Sequence, residues 1–328
     1  MAVLLTGAAG FIGMHVARAL LARGERVIGV DNLNPYYDPA LKEARLAELA
    51  ASSGFSFHRL DIADREAMME LARRLGGEIE IVIHLAAQAG VRYSLENPFA
   101  YVESNLVGHM VVLELCRSGL PRLRRLVYAS SSSVYGANRK VPFAEGDRVD
   151  APVSLYAATK RADELLSESY ARLYGLPQIG LRFFTVYGPW GRPDMAYYSF
   201  ALRILRGEPI TLFNHGRMRR DFTYIDDVVA GVLAAAGHDP VRDDGIPHRI
   251  YNLGNHRPVE LTTFVDLLER ALGRRAERRL APMQPGEVVE TFADIEEARR
   301  DLGFAPRTRL EEGLERFARW FRAYHRRD

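Results

Sequence analysis

Thr6-Gly7-Ala8-Ala9-Gly10-Phe11-Ile12-Gly13 follows the apolar run Val3-Leu4-Leu5 and opens a helical pattern that continues from His15 to Arg23. The glycines fall as G-x-x-G-x-x-G between a strand and a helix. Gly7 permits a tight turn, Gly10 lets backbone approach a diphosphate, and Gly13 allows close helix–strand packing. The helix N-terminus then offers free N–H groups and positive potential to phosphates. The acid that completes the pattern is Asp31, at the end of the next apolar run and 18 residues beyond Gly13. A carboxylate there accepts hydrogen bonds from ribose hydroxyls and repels a 2′-phosphate. Positions 32 to 34 carry no arginine, which favours NAD over NADP. In isolation Asp31 would read as a loop carboxylate; the strand before it and the glycine loop upstream decide for the ribose.

Outward from this unit, short β-rich runs alternate with helical stretches. Strands are expected at Val3–Leu5, Arg26–Val30, Phe55–Leu60, Ile79–His84, Leu123–Ser130 and Gln178–Phe184. Strands separated by helices, without hairpin signals, imply a parallel sheet covered on both faces. Two long helices are expected. One runs from about Phe99 to Arg117, with Val102, Leu106, Met110 and Leu113 at helical spacing; the other runs from Leu155 to Tyr174, where Gly175 and Pro177 stop it. Both are candidates for a homodimer face. After Gly188 the pattern breaks into short segments and an apolar helix from Val228 to Ala236. The fold class is therefore α/β, a Rossmann-like doubly wound parallel sheet with a smaller C-terminal substrate-binding lobe. Residues 1–187 form the NAD-binding domain and 188–328 mainly the lobe, with some segments returning to the core.

The 328 residues are 48% hydrophobic, enough for a sizeable core, and 44 basic residues nearly cancel 42 acidic ones. Such a balance gives no reason to expect nucleic acid or a membrane surface as partner. The arginines between Arg316 and Arg327 alternate with Phe317, Trp320, Phe321 and Tyr324, as on an amphipathic helix with a charged outer face. No apolar run approaches the roughly 20 residues of a membrane helix. A single cysteine, Cys116, fits a buried thiol in a reducing compartment, and the cytoplasm is expected. No metal site is expected.

The chemistry points to Tyr156-Ala-Ala-Thr-Lys160, where tyrosine and lysine share one helix face. A phenol titrates near pH 10 and is a poor base at neutrality, but a neighbouring ammonium favours the phenolate. With a hydroxyl from the tract Ser130 to Ser133, such a pair can move a proton on and off a substrate alcohol. Alone the spacing is common. Strand-end backbone bonding accounts for at least two of the four serines. At the ends of strands three and four, Asp61-Ile62 and Leu85-Ala86-Ala87-Gln88 lie where cofactor would pass. Asn105, mid-helix, suits internal hydrogen bonding beside the cofactor better than direct contact.

Together these motifs resemble the extended short-chain dehydrogenase/reductase superfamily, and within it the NAD-dependent nucleotide-sugar epimerases and dehydratases. The resemblance extends over nearly the whole chain, through Thr6–Gly13, His84–Ser94, Ser130–Gly136, Tyr156–Lys160, Leu181–Pro189, Arg220–Asp227 and Pro285–Asp294. It implies that Tyr156 is the base at a sugar hydroxyl and that Lys160 holds the nicotinamide ribose. It places the catalytic Ser/Thr at Ser131, four residues before Tyr135 of Val134-Tyr135-Gly136, with Ser133 as fallback. The implied cofactor set is Gly7, Gly10, Phe11, Ile12, Gly13, Asp31, Asn32, Asp61, Ile62, Leu85 to Gln88, Asn105, Ser130, Tyr156, Lys160 and Val186. Related dehydratases carry Asp-Glu after the serine and related decarboxylases a glutamate. Here Ser132-Ser133 stand instead, leaving 4-epimerisation with NAD regenerated in each cycle.

Arg92, Arg192, Arg217 and Arg220 are candidate anion contacts, Arg217 about as well explained by solvation, and Arg220-Asp221-Phe222 matches the family's diphosphate-gripping arginine. UDP-galactose epimerases usually carry an arginine where Gln284 stands, and an asparagine where Thr185 stands. Thr185 with Arg192, Gln88 to Ser94, and Met283-Gln284-Pro285-Gly286 look instead like the UDP-glucuronate 4-epimerases, in which the threonine and arginine hold the sugar carboxylate. The substrate set implied is Arg92, Ser131, Ser133, Tyr156, Thr185, Arg192, Phe213, Arg220 and Glu287. The alternatives are a UDP-glucose/galactose 4-epimerase or net oxidoreductase of the same superfamily, and a non-catalytic NAD-binding sensor or scaffold.

Overall fold

The computed structural model describes residues 1–284 and 288–325. Twelve strands run in chain order: β1 Ala2–Thr6, β2 Arg26–Asp31, β3 Phe55–Arg59, β4 Ile79–His84, β5 Arg125–Ser131, β6 Gln178–Phe183, β7 Thr185–Tyr187, β8 Ile210–Leu212, β9 Arg219–Tyr224, β10 His248–Leu253, β11 Pro258–Glu260 and β12 Arg278–Leu280. Seven form a parallel sheet in the order β10-β6-β5-β4-β1-β2-β3. Strand order, though not strand direction, reverses between β1 and β4, which opens a crevice at the strands' carboxyl ends, where open α/β sheets bind ligands. A three-stranded sheet, β11-β9-β7, and the pair β12-β8 lie beyond it.

The six expected strands are present, with ends displaced by at most two residues. The seventh, β10, pairs along its whole length with β6 although it lies 60 residues beyond residue 188. Its burial comes from partners distant in sequence, which periodicity does not reveal.

The helix α1, Phe11–Ala22, begins at Gly10, which has no side-chain cap, and its first turn contains no acid. Its first N–H groups stay available to an anion. A Cβ on Gly13 would lie 2.0 Å from the Gly7 carbonyl oxygen, and one on Gly7, at φ +74°, would lie 2.7 Å from the Ala86 nitrogen. These two positions admit only glycine, and they bring α1 against β1 and the strand-four loop.

The expected helix over 99–117 is present as one uninterrupted run, but its winding changes within it. Pro98–Tyr101 is one α turn, Val102–Val107 is a π-helical turn, and Gly108–Ser118 resumes as α. A π turn inserts an extra residue and rotates the buried face. Val102 is consequently exposed, while Asn105, Gly108, His109, Val112 and Cys116 face inward. The helix Leu155–Tyr174 is as expected, capped by Ser154 and ended by left-handed Gly175. The last helix, Leu310–His325, buries Leu314, Phe317 and Phe321 on its inner face.

Gly13→Ala would ordinarily strengthen a helix by about 1 kcal/mol. Here the steric conflict with the Gly7 carbonyl is expected to reverse the sign, lowering Tm by several degrees in a thermal melt. A raised Tm would show that the turn can relax.

Candidate active site

A cavity of about 350 Å³ runs along the carboxyl ends of the central strands. Its floor is the glycine loop, Gly7 and Gly10 to Gly13, and the strand-four segment Leu85 to Val91. One end is closed by Asp31, Asn32 and Ile62, the other by Thr185, Val186, Arg192 and Met195. Ser130 to Ser133, Tyr156 and Lys160 line the wall between them. The residues fit a dinucleotide: the Cβ-free cradle at Gly7 and Gly10, the uncapped helix N-terminus and a strand-end acid all face one space.

Asp31 is buried, accepting the Leu33 N–H at 2.9 Å and the Ala9 N–H at 3.2 Å. It therefore ties the β2 end to the glycine loop. Asn32 donates to Asp61 at 2.8 Å, so Asp61 stands behind Asn32 rather than on the cavity lining. Asn105 likewise acts from behind. Its side chain accepts the Gln88 N–H at 2.9 Å and donates to the Gln88 carbonyl at 3.1 Å and the Thr159 hydroxyl at 2.9 Å. The π turn aims it there, fixing the strand-four loop against the helix that carries Tyr156.

Lys160 is almost fully buried. Its ammonium donates to the Ala129 carbonyl and to Asp163, each at 3.0 Å. Asp163 is 1% exposed, and among the described residues its second oxygen has no hydrogen-bond partner. Burial pushes its carboxyl up to about 6, against the pull of Lys160. Ser130 is committed elsewhere, donating to Glu164 at 2.7 Å. Glu164 forms a two-point pair with Arg182, at 2.8 and 3.0 Å, in which both side chains are buried. Burial favours a protonated Glu164, but the Arg182 hydrogen bonds outweigh it and hold the carboxyl below its ordinary value. Ser131 lines the cavity and its oxygen accepts the Ser133 N–H at 3.2 Å.

The expected substrate residues separate into two groups. Thr185 and Arg192 line the main cavity, and Arg192 is held by a two-point pair with Asp194, at 3.0 and 2.7 Å. Arg220 lines an adjoining cavity of about 150 Å³, which shares Val91, Ser132, Ser133 and Thr185 with the first. Arg92 stands 5.0 Å over the Phe213 ring; neither lines either cavity. Glu287 lies outside the described residues, as do Pro285 and Gly286.

Several contributors had no local signal. Asn34, Tyr36, Tyr37 and Lys42 join the lining from the segment after β2. Lys42 donates to the Asn34 carbonyl and side chain at 2.9 and 2.8 Å. Arg45, fully buried, donates to Ala9, Tyr37, Trp190 and Gly191, joining the glycine loop to the segment before Arg192. Asp221, also fully buried, accepts N–H groups of Asn255, His256 and Ala293. Among the described residues no cluster of three or more His, Cys, Asp or Glu could hold a metal ion, and no helix is long and apolar enough to cross a membrane.

The model of the NAD dependent epimerase/dehydratase family matches residues 3–254. The chain is 48% identical over 340 residues to a probable UDP-glucuronate 4-epimerase of Rhizobium meliloti, covering 100% of this chain and 98% of that one. Its structure is similar to the Bacillus cereus UDP-glucuronic acid 4-epimerase solved with UDP-glucuronic acid and NAD (TM-score 0.89, 34% identity, 99% and 100% of the two chains). It is also similar to a Thermotoga maritima UDP-glucose 4-epimerase solved with UDP-glucose (TM-score 0.86, 32% identity, 99% and 100% covered).

The Asp163 carboxyl gives a pH test. Its folded-state value of about 6 lies above the ordinary carboxyl value of about 4. The folded state thus holds this proton more tightly, and the stability it contributes is lost as pH rises from about 4 through 6. Asp163→Asn lacks that loss, so the variant's Tm should gain on the wild type's between pH 4.5 and 7. A constant difference would mean that Asp163 does not titrate there.

Proposed function

The chain belongs to the NAD-dependent epimerase/dehydratase family, and from that membership we propose that it catalyses 4-epimerisation of a UDP-sugar, UDP-glucuronate to UDP-galacturonate. The observation that carries the reading is one cavity wall that presents Tyr156, Lys160 and Ser131 with serines, not acids, at positions 132 and 133. Such a wall can remove and return a proton at a hydroxyl. It has no second carboxyl at those positions for elimination.

NAD, when bound, would supply a reversible hydride acceptor for sugar C4. Gly7 and Gly10 to Gly13 would hold its diphosphate and Asp31 its adenosine ribose. Tyr156 takes the proton of the C4 hydroxyl and returns it to the C4 oxygen, so the cycle has no net proton. Ser131 orients that oxygen. Lys160, pinned by Ala129 and Asp163, keeps one N–H for the nicotinamide ribose. Arg220, in the adjoining cavity, would meet the UDP diphosphate. Thr185 and Arg192 would meet the sugar carboxylate.

We assign residues 1–187 to the cofactor domain and 188–328 mainly to the UDP-sugar lobe, with β10 and the helix Ile225–Gly237 counted with the core. A homodimer face is supported by Leu95, Phe99, Val107 and Leu165, large apolar side chains left exposed on adjoining helices. The single buried thiol, Cys116, supports a cytoplasmic setting.

Purified protein incubated with UDP-glucuronate and no added NAD(H) should form UDP-galacturonate, read by proton NMR, more readily than it converts UDP-glucose. Preference for UDP-glucose would favour the hexose epimerase, and a requirement for stoichiometric NAD would indicate a net oxidoreductase. Tyr156→Phe should lower kcat by roughly 10²–10⁴; full activity in that variant would remove the mechanism. Phe99→Asp should shift the sedimentation mass from a dimer toward the 36.9 kDa monomer. An unchanged mass would place the interface elsewhere.

A further inference from the structure

We infer that Asp194 is a specificity-determining residue, which shares Arg192 with the substrate and so limits how strongly the cavity prefers a carboxylated sugar to a neutral one. The inference rests on the assignment of Arg192 and Thr185 to the sugar C6 end. A guanidinium offers five N–H donors and two edges that can each face a carboxylate. Nε and Nη2 of Arg192 bond Asp194, so the side-on edge is already taken. Nη2 also lies 3.7 Å from the Met195 sulfur, a weak acceptor that a carboxylate would displace, so a sugar carboxylate is left with the end-on edge, Nη1 and the second Nη2 hydrogen. Arg192 and Asp194 together carry no net charge, and a uronate adds a second anion around one cation.

Asp194 is held independently of Arg192. The Tyr36 hydroxyl, from the segment after β2, donates to Asp194 at 3.2 Å. Gly90, in the segment after β4 and at φ +102°, leaves room for this contact; a Cβ there would lie 2.5 Å from the Tyr36 oxygen and 3.6 Å from Asp194. The Tyr36 ring packs 4.7 Å from Tyr93, whose own ring neighbours Tyr101. Three loops that follow three different strands therefore converge on one carboxylate. Burial works against its charge, but Arg192 and Tyr36 keep the Asp194 carboxyl below its ordinary value, so it is an anion at neutral pH.

Its effect has two signs. Holding the fork in place spares a substrate the entropy of ordering a long side chain. Its charge opposes the substrate's. Two carboxylates on adjacent edges of one guanidinium lie roughly 7 Å apart, where an effective dielectric near 20 gives a repulsion worth about fifty-fold in affinity. Arg192 and Asp194 are about a quarter exposed, at 24% and 26%. Solvent screening reduces the effect to about three- to ten-fold. A neutral hexose does not meet this repulsion.

The test is calorimetric binding of UDP-glucuronate and UDP-glucose to NAD-loaded protein carrying Tyr156→Phe, so that turnover does not interfere. Adding Asp194→Asn should tighten UDP-glucuronate relative to UDP-glucose by three- to ten-fold. Asp194→Ser, uncharged and small enough for the same loop, should move the ratio the same way and serves if the first variant fails to fold. A merely structural role would loosen both ligands together. An unchanged ratio, or one moved toward UDP-glucose, overturns the inference while leaving the epimerase reading intact. A parent protein that binds neither UDP-sugar overturns both.

Discussion

The chemistry of this protein depends on how one helix, Leu155–Tyr174, is seated against the sheet. Its Tyr156 and Lys160 are useful only if the ammonium lies under the cavity wall, and an ammonium is costly to bury without partners. The Ala129 carbonyl and Asp163 supply them. One turn on, the buried Glu164–Arg182 pair ties the same helix to β6, and Ser130 ties it to β5. Breaking such a pair leaves an uncompensated buried charge, commonly a loss of 3–5 kcal/mol. The helix is thus held by contacts whose disruption is far more expensive than loss of an exposed ion pair. That rigidity keeps Tyr156 in register with the serine tract.

The two ends of the cavity are built differently. At the cofactor end, strand ends meet a glycine turn that allows no side chain, so position follows from sterics. At the end lined by Thr185 and Arg192, irregular segments after β2, β4 and β7 meet, and polar side chains bind them together. Arg45 joins the glycine loop to the segment at Trp190–Gly191 through neutral oxygens, and the Tyr36–Asp194–Arg192 chain closes the mouth. Asp221 does similar work beneath the Arg220 cavity by collecting three backbone N–H groups. Charged groups tolerate burial here because each is met by several hydrogen bonds. This end of the cavity is accordingly made of loops, whose geometry is a sum of such contacts, on a scaffold that resists change.

Much of the cofactor end could be read without coordinates, because its determinants are contiguous. Strand, glycine turn, helix and acid occupy residues 3 to 31 and interact largely with one another. The helix over 99–117 could be read, but the π turn within it at Val102–Val107 could not. Its apolar spacing satisfies an ordinary α-helix, and the partner that the turn gives Asn105, the Gln88 backbone, lies 17 residues away in another segment. Likewise β10 has a strand's composition but needs β6 beside it. Asp61 was legible as a polar residue near the cofactor but not as one standing behind Asn32, and Asn105 was legible as an internal hydrogen-bonding residue but without its partner, Gln88.

The amino-acid sequence by itself determined the sheet, the glycine turn, the placement of Tyr156 and Lys160 on one helix face, and the absence of acids after Ser131. Each follows from residues within a few turns of one another, where local geometry is nearly invariant. Tertiary structure alone decided that Lys160 is paired with Asp163, that Asp61 supports rather than lines the cavity, and that Arg192 is paired with Asp194. Those outcomes depend on which loops converge and on how charge is shared among them. Convergence of that kind arises only when segments more than 100 residues apart, such as Tyr36 and Asp194, are brought together by the packed core.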